Sequence, residues 1–171
     1  ILIMDFRTVK IVYLGNEYMI GVMNQTYRNK YKVSHPSGDG TYLQLYYKTE
    51  YEAISTKLNL CASDNMTPSC RKKKKRSSDA KDLITGVRES VRRGKKILLS
   101  KFTNHLGKSV HRDISYISHK EREKAKIEIT KWRLNLVHTE LNYLAKKHDI
   151  KLILPNLGSI SSSIDLDKKT L

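Results

Sequence analysis

Along the first third of the chain, apolar and polar positions alternate with a period near two. The runs TVKIVYL (8–14) and YMIGVMN (18–24) are short and β-rich, and Gly15-Asn16-Glu17 between them suits a hairpin turn. A second pair, KYKVS (30–34) and TYLQLYY (41–47), is joined by HPSGDG, whose proline and glycines suit a longer loop. Four successive strands predict an antiparallel meander. Period two puts Tyr31 and Val33 on one face with Leu43, Leu45 and Tyr47, an apolar set expected to be core. The opposite face receives Lys30, Lys32 and Ser34 with Tyr42, Gln44 and Tyr46. That face is cationic, aromatic and hydrogen-bonding, and suits either plain solvent or a nucleic acid.

The period then changes. Thr49 followed by Glu52 has the spacing of a capping box, and a helix is predicted from there to about residue 60. Its apolar face would carry Tyr51, Ile54 and Leu58. Residues 62–80 have no apolar period and read as a basic, mobile linker. Segments 79–93 and 95–106 are read as helices, with Gly94 as a break, Gly107 as a stop, and a thin stripe of Val87, Val91, Ile97, Leu98, Phe102 and Leu106. Ser118 and Glu121 form a second capping box before a long helix predicted over 119–148. Leu134, Val137, Leu141 and Leu144 make its stripe, widened by Ile129, Trp132 and Leu136, and this face would be either core or a docking surface for a partner or a second copy. IKLIL (150–154) reads as a short strand ended by Pro155, and 158–171 as a disordered tail. The expected fold is therefore α+β. An antiparallel β-meander packed on a helix (1–61) is followed by the linker, then by a basic helical region with one long helix and a short C-terminal strand (81–157).

Charge sharpens this picture. The chain has 171 residues, 33 Lys plus Arg against 17 Asp plus Glu, and a net charge of +16. Self-repulsion of that size points to a polyanionic partner, nucleic acid before an anionic membrane surface. Residues 71–101 alone hold 13 of the cations and 3 of the anions. Within them Arg71, Lys72, Lys73, Lys74, Lys75 and Arg76 are consecutive. Such a run is either a nuclear import address or an arm that follows a phosphate backbone. Arg88, Arg92, Arg93, Lys95 and Lys96 extend the basic tract beyond what import needs. No stretch approaches the ~18 apolar residues of a membrane span. The chain opens ILIMDF without an initiator Met, so an excised fragment or a mature piece is expected.

Catalytic chemistry finds little support. Cys61 and Cys70 have eight residues between them and no CxxC, so free thiols rather than zinc ligands are expected, with no metal or cofactor. His111-Arg112-Asp113 lacks the glycine-rich loop and magnesium-binding Asp that a kinase needs. Tyr18, Ile20, Gly21 and Arg28 resemble the second half of a GIY-YIG nuclease motif, but residues 9–13 do not supply the first half.

A second resemblance covers more of the chain. Gly21-Val22, then Tyr31-Lys32-Val33, then LYYKTEYEAIS resemble the apetala/ethylene-response-factor DNA-binding domain over residues 21–60. Tyr47, Thr49, Glu52 and Ala53 stand where that family has its Phe, Thr and Glu-Ala pair, while Tyr31 replaces its usual Trp. The resemblance implies a three-stranded antiparallel sheet packed on a helix, with the outer sheet face in the DNA major groove. Arg28, Lys30, Lys32 and Gln44 would then be in position to touch DNA. The expected function is non-enzymatic nucleic-acid binding in the nucleus, to DNA ahead of RNA. The rival readings are an assembly subunit docking through 129–144, an RNA-binding component of a large particle, and a GIY-YIG-like nuclease.

Overall fold

The computed structural model describes residues 6–13, 16–25, 30–68, 82–104 and 106–154. Two antiparallel sheets, each followed by a helix, make up the architecture. Strands β1 (Phe6–Tyr13), β2 (Asn16–Gln25), β3 (Lys30–Pro36) and β4 (Tyr42–Tyr47) form the first sheet in sequence order, and helix α1 (Glu50–Ser63) follows. Strands β5 (Val87–Arg92), β6 (Lys95–Thr103) and β7 (Ser109–Tyr116) form the second, again in order, followed by helix α2 (His119–Lys147).

The meander and its two faces follow the predicted alternation. Cross-strand partners Tyr31–Tyr47, Val33–Leu45 and His35–Leu43 share the face toward α1, and Lys32–Tyr46 and Ser34–Gln44 share the other. Ile20, Val22 and Val33 are completely buried under Ile54 and Leu58 of α1. Each such side chain contributes about 1.5–3 kcal/mol by leaving water. The Thr49 hydroxyl accepts from the Glu52 amide at 3.3 Å, so the predicted cap is in place. Tyr51 does not join the core: it lies in the exposed first turn of α1. The helix outlasts its expected end, and Ala62, Met66 and Thr67 are buried, so the stretch predicted as linker is packed structure through residue 67.

The segment read as two helices, 79–106, is instead a β-hairpin as far as it is described. Arg92 pairs with Lys95, and the two residues between them, Arg93 and Gly94, both have positive φ (49° and 76°). That is the two-residue turn whose twist matches paired strands, so Gly94 makes a turn and not a helix break. Gly107 likewise sits in the β6–β7 connection, where its amide donates to the Asn104 carbonyl. The region expected to be helical is thus a three-stranded sheet followed by one helix. Residues 150–154 form no strand; Ile150 is buried, and Leu152 and Leu154 pack against the core.

The long helix is 29 residues, about 44 Å. Ser118 caps it, and Glu121 reaches back to accept from the Ile117 amide at 2.9 Å. Its stripe of Ile129, Leu134, Val137, Leu141 and Leu144 is buried within the chain, with Trp132 and Leu136 packed alongside, so it is core. The N-terminal half of α2 (Ala125, Ile129) packs on Val87, Leu98 and Tyr116 of the second sheet. Its C-terminal half (Val137, Leu141, Leu144) joins Phe102 with Ile54, Leu58 and the first sheet in the larger core. One helix therefore packs on the second sheet and on α1, which joins the two halves in one core.

The two halves repeat one local plan. Each has three consecutive antiparallel strands and a helix, β2-β3-β4-α1 and β5-β6-β7-α2. Each has a positive-φ glycine followed by a buried valine in its first strand or at its start, Gly21-Val22 within β2 (φ 80°) and Gly86-Val87 at the start of β5 (φ 87°). Each ends its last strand on a tyrosine two residues before the hydroxyl cap, Tyr47 before Thr49 and Tyr116 before Ser118. In each, a buried cation from the helix lies over the glycine. A Cβ on Gly21 would sit 3.3 Å from the Lys57 side chain, and one on Gly86 would sit 2.1 Å from the Arg133 guanidinium carbon.

Candidate nucleic-acid interface

Each sheet has one face covered by helices and one that is not. On the second sheet, register fixes the uncovered face. Arg88–Leu99–Asp113 and Ser90–Ile97–Ser115 are rows across the three strands, with Arg92–Lys95 at one end and Lys101–His111 toward the other. Arg88, Arg92, Lys95, Lys101 and His111 are all exposed there. The neighbouring rows alternate to the helix side, where Arg112 pairs with Glu128, Glu89 accepts from Arg122, and Ser100 meets Arg133.

Cations on the two faces have different partners. Toward α2, Arg122 bridges Asp82 (2.8 Å) and Glu89 (3.0 Å), and Lys126 meets Asp82 at 3.3 Å. These partners hold the Asp82 carboxyl well below the usual carboxylate range, Arg122 acting most strongly. Among the described residues the outer face has one ion pair, Arg92 with Asp113 at 2.9 Å. Arg88, Lys95 and Lys101 have no acidic partner among those residues. Among the described residues, three cations on the face that no helix covers thus stand without an acidic partner, against Lys96 on the helix side.

The outer face of the first sheet is more aromatic. Lys30 faces Gln25, Lys32 lies between Met23 and Tyr46, and Ser34 faces Gln44. Tyr42 and Tyr46 are more than half exposed, as is Met19 beyond them. Lys10 is neutralised by Glu17 at 2.9 Å; Lys30 and Lys32 have no acidic partner among the described residues. The sequence-predicted set Lys30, Lys32, Tyr42, Gln44 and Tyr46 therefore does share one face.

Of the basic tract, Arg88, Arg92 and Lys95 meet on the second outer face, Arg93 occupies the hairpin turn, and Lys96 points to the helix side opposite Tyr116. Sequence reasoning missed Lys101, Ser90 and Thr103 because it read β5 and β6 as helices, and His111 and Ser115 because it assigned no element to 109–116. A period-two reading of Arg88-x-Ser90-x-Arg92 would have found the face. Arg28 and the run Arg71, Lys72, Lys73, Lys74, Lys75 and Arg76 lie outside the described residues.

The remaining chemistry is structural. Lys57, on α1, donates to the Ser34 carbonyl at 2.7 Å and lies 3.3 Å from His35 Nδ1. A lysine only donates, so Nδ1 accepts and His35 Nε2–H is left to donate to Asp64 at 2.7 Å. Both Lys57 and His35 are almost completely buried. Burial pushes the Lys57 amine below its ordinary value, opposed by Cys61 and Asp64. Of the nuclease-like residues, Ile20 is core and Gly21 lies under Lys57. Along β7, His111 and Asp113 face outward while Arg112 faces α2, so the triplet forms no catalytic loop. Among the described residues no group of three His, Cys, Asp or Glu could hold a metal ion, and no helix is long and apolar enough to cross a membrane.

Comparison with protein-family models, with curated proteins and with solved structures found no match to this chain.

Proposed function

We propose that this protein binds nucleic acid, duplex DNA by preference, through the outer faces of its two sheets. The observation that carries the reading is the segregation of charge on the second sheet. On the helix side Arg112, Arg122 and Lys126 meet Glu128, Glu89 and Asp82, while among the described residues Arg88, Lys95 and Lys101 on the opposite face, and Lys96 alone of the strand cations on the helix side, meet no acidic group. Uncompensated cations on a face are what phosphate contacts require. Three strands span about 10 Å between their outer axes, a fit to the ~12 Å major groove of B-form DNA. The deep, narrow major groove of A-form RNA excludes such a ribbon. The first sheet adds Tyr42 and Tyr46 for stacking and Gln44 for base edges. The β-β-β-α order implied by the ethylene-response-factor resemblance over 21–60 recurs over 86–147, which supports reading both outer faces alike. On the same proposal, the 71–76 run serves nuclear import, backbone contact or both.

The test is a gel shift of the full chain against duplex DNA, single strands and RNA across a salt series. Duplex DNA should bind tightest. The double change Arg88→Ala, Lys101→Ala should lower the salt slope by about 0.9 for each phosphate no longer neutralised, on every sequence alike. Arg112→Ala, on the helix side, should leave the slope unchanged. Gln44→Ala should change preference among sequences more than overall affinity. Unaltered binding after changes on both outer faces would refute the proposal.

A further inference from the structure

Each sheet has two edges, and strand edges are defended in natural proteins by charge, proline or bulges, because bare ones pair with other chains. Three of the four edge strands here carry charge. β1 has Arg7 and Lys10, β5 has Arg88, Glu89 and Arg92, and β7 has His111, Arg112 and Asp113. The fourth, β4, reads YLQLYY with no charge and no proline. Among the described residues nothing pairs with its outer edge. Its apolar side chains stand in solvent on both faces: Tyr42 is 58% exposed, Leu43 43% and Tyr46 53%.

The strand is also self-complementary. Tyr42-Leu43-Gln44-Leu45-Tyr46 is a palindrome about Gln44. Two copies laid antiparallel about a two-fold axis at Gln44 would pair Tyr42 with the second copy's Tyr46, Leu43 with Leu45, and Gln44 with itself. That is an isologous contact, closed by symmetry. Tyrosines would meet tyrosines on the outer face, and the half-exposed Leu43 would be covered by leucine on the α1 side. Aromatic and aliphatic cross-strand pairs of this kind are the favourable ones in sheets. A chain with net charge +16 resists self-association in general, which makes a charge-free, symmetric strand the one edge suited to it.

We infer that the chain forms a homodimer in which the β4 strands of two copies pair antiparallel about Gln44, joining the first sheets edge to edge. The inference does not rest on nucleic-acid binding. It does imply that two outer faces lie side by side, related by a two-fold axis.

Light scattering and sedimentation of the nuclease-treated full chain in high salt test it. A concentration-dependent dimer is expected. Leu43→Lys, an exposed position, should weaken it by about tenfold or more with an unchanged circular-dichroism spectrum. Register is tested in a Cys70→Ser background under mild oxidation. Gln44→Cys should crosslink to itself, since directly opposed residues in a ladder lie within disulfide reach. Tyr42→Cys alone should not, but should crosslink when mixed with Tyr46→Cys. A monomer at every concentration would overturn the inference, leaving the edge to another strand. So would a dimer that survives Leu43→Lys and gives no Gln44→Cys crosslink.

Discussion

Gly86 shows how much one residue type decides. Its φ of 87° lies where a side chain is strained, and the Arg133 guanidinium occupies the space a Cβ would need. Arg133 is buried, donates to the Lys101 carbonyl at 2.8 Å and to Ser100 Oγ at 3.2 Å, and sits 5.9 Å from the Phe102 ring centre. Ser100 in turn donates to the Gly86 carbonyl at 2.9 Å. Glycine here lets a helix cation anchor the central strand of the second sheet. Gly86→Ala should therefore cost at least ~1–2 kcal/mol from backbone strain alone, and more from displacing Arg133. Urea unfolding will read it. Gly94→Ala, in an open turn with nothing near a Cβ, should lose the backbone part only.

At the scale of elements, α2 carries two histidines with a consequence for pH. His138 is buried along the helix, and His148 is its C-cap. Burial lowers both below the ordinary 6.5, opposed at His148 by Glu50. Their folded-state affinity for protons is thus weaker than in the unfolded chain. Protons bind the unfolded state preferentially, so stability falls as pH drops through 6.5 toward the folded-state values. The unfolding midpoint should decline between pH 7 and pH 5, and His138→Gln should flatten the decline. An equally steep profile in the variant would assign the acid sensitivity elsewhere. The hairpin β5–β6 teaches a different lesson. Ile97-Leu98-Leu99 is a continuous apolar run because all three are buried, Leu98 against α2 and Ile97 and Leu99 between their neighbours on the outer face that no helix covers, and such a run shows no alternation. Val87 and Val91, four apart, then mimic a helix face. Arg93 at positive φ hides a turn that Asn-Gly would have announced.

For the whole molecule, the shared core matters most. Ile20, Val33, Ile54 and Leu58 from the first half pack in one cluster with Phe102, Val137, Leu141 and Leu144 from the second. A fragment of residues 1–81 would expose that surface to water. It should be unfolded or aggregated by circular dichroism and proton NMR dispersion, although it contains a complete sheet and helix. Should it give a dispersed, cooperative spectrum, the halves are independent domains and the shared core is only an interface.

Local signals settled much of this protein in advance. The caps Thr49 and Ser118, the α2 stripe and the two faces of β3 and β4 depend on neighbours a few residues apart or on a fixed period, so they can be read from the chain. Lys30, Lys32, Tyr42, Gln44 and Tyr46 were grouped correctly for that reason. Other features depend on partners distant in sequence. Only the fold could show that 87–103 pairs as strands, that α2 packs on both the second sheet and α1, and that Lys101 and His111 join Arg88 on one face. The same holds for which cations meet Asp82, Glu89 and Glu128 and which are left without them, because charge compensation is set by distance in space, not along the chain.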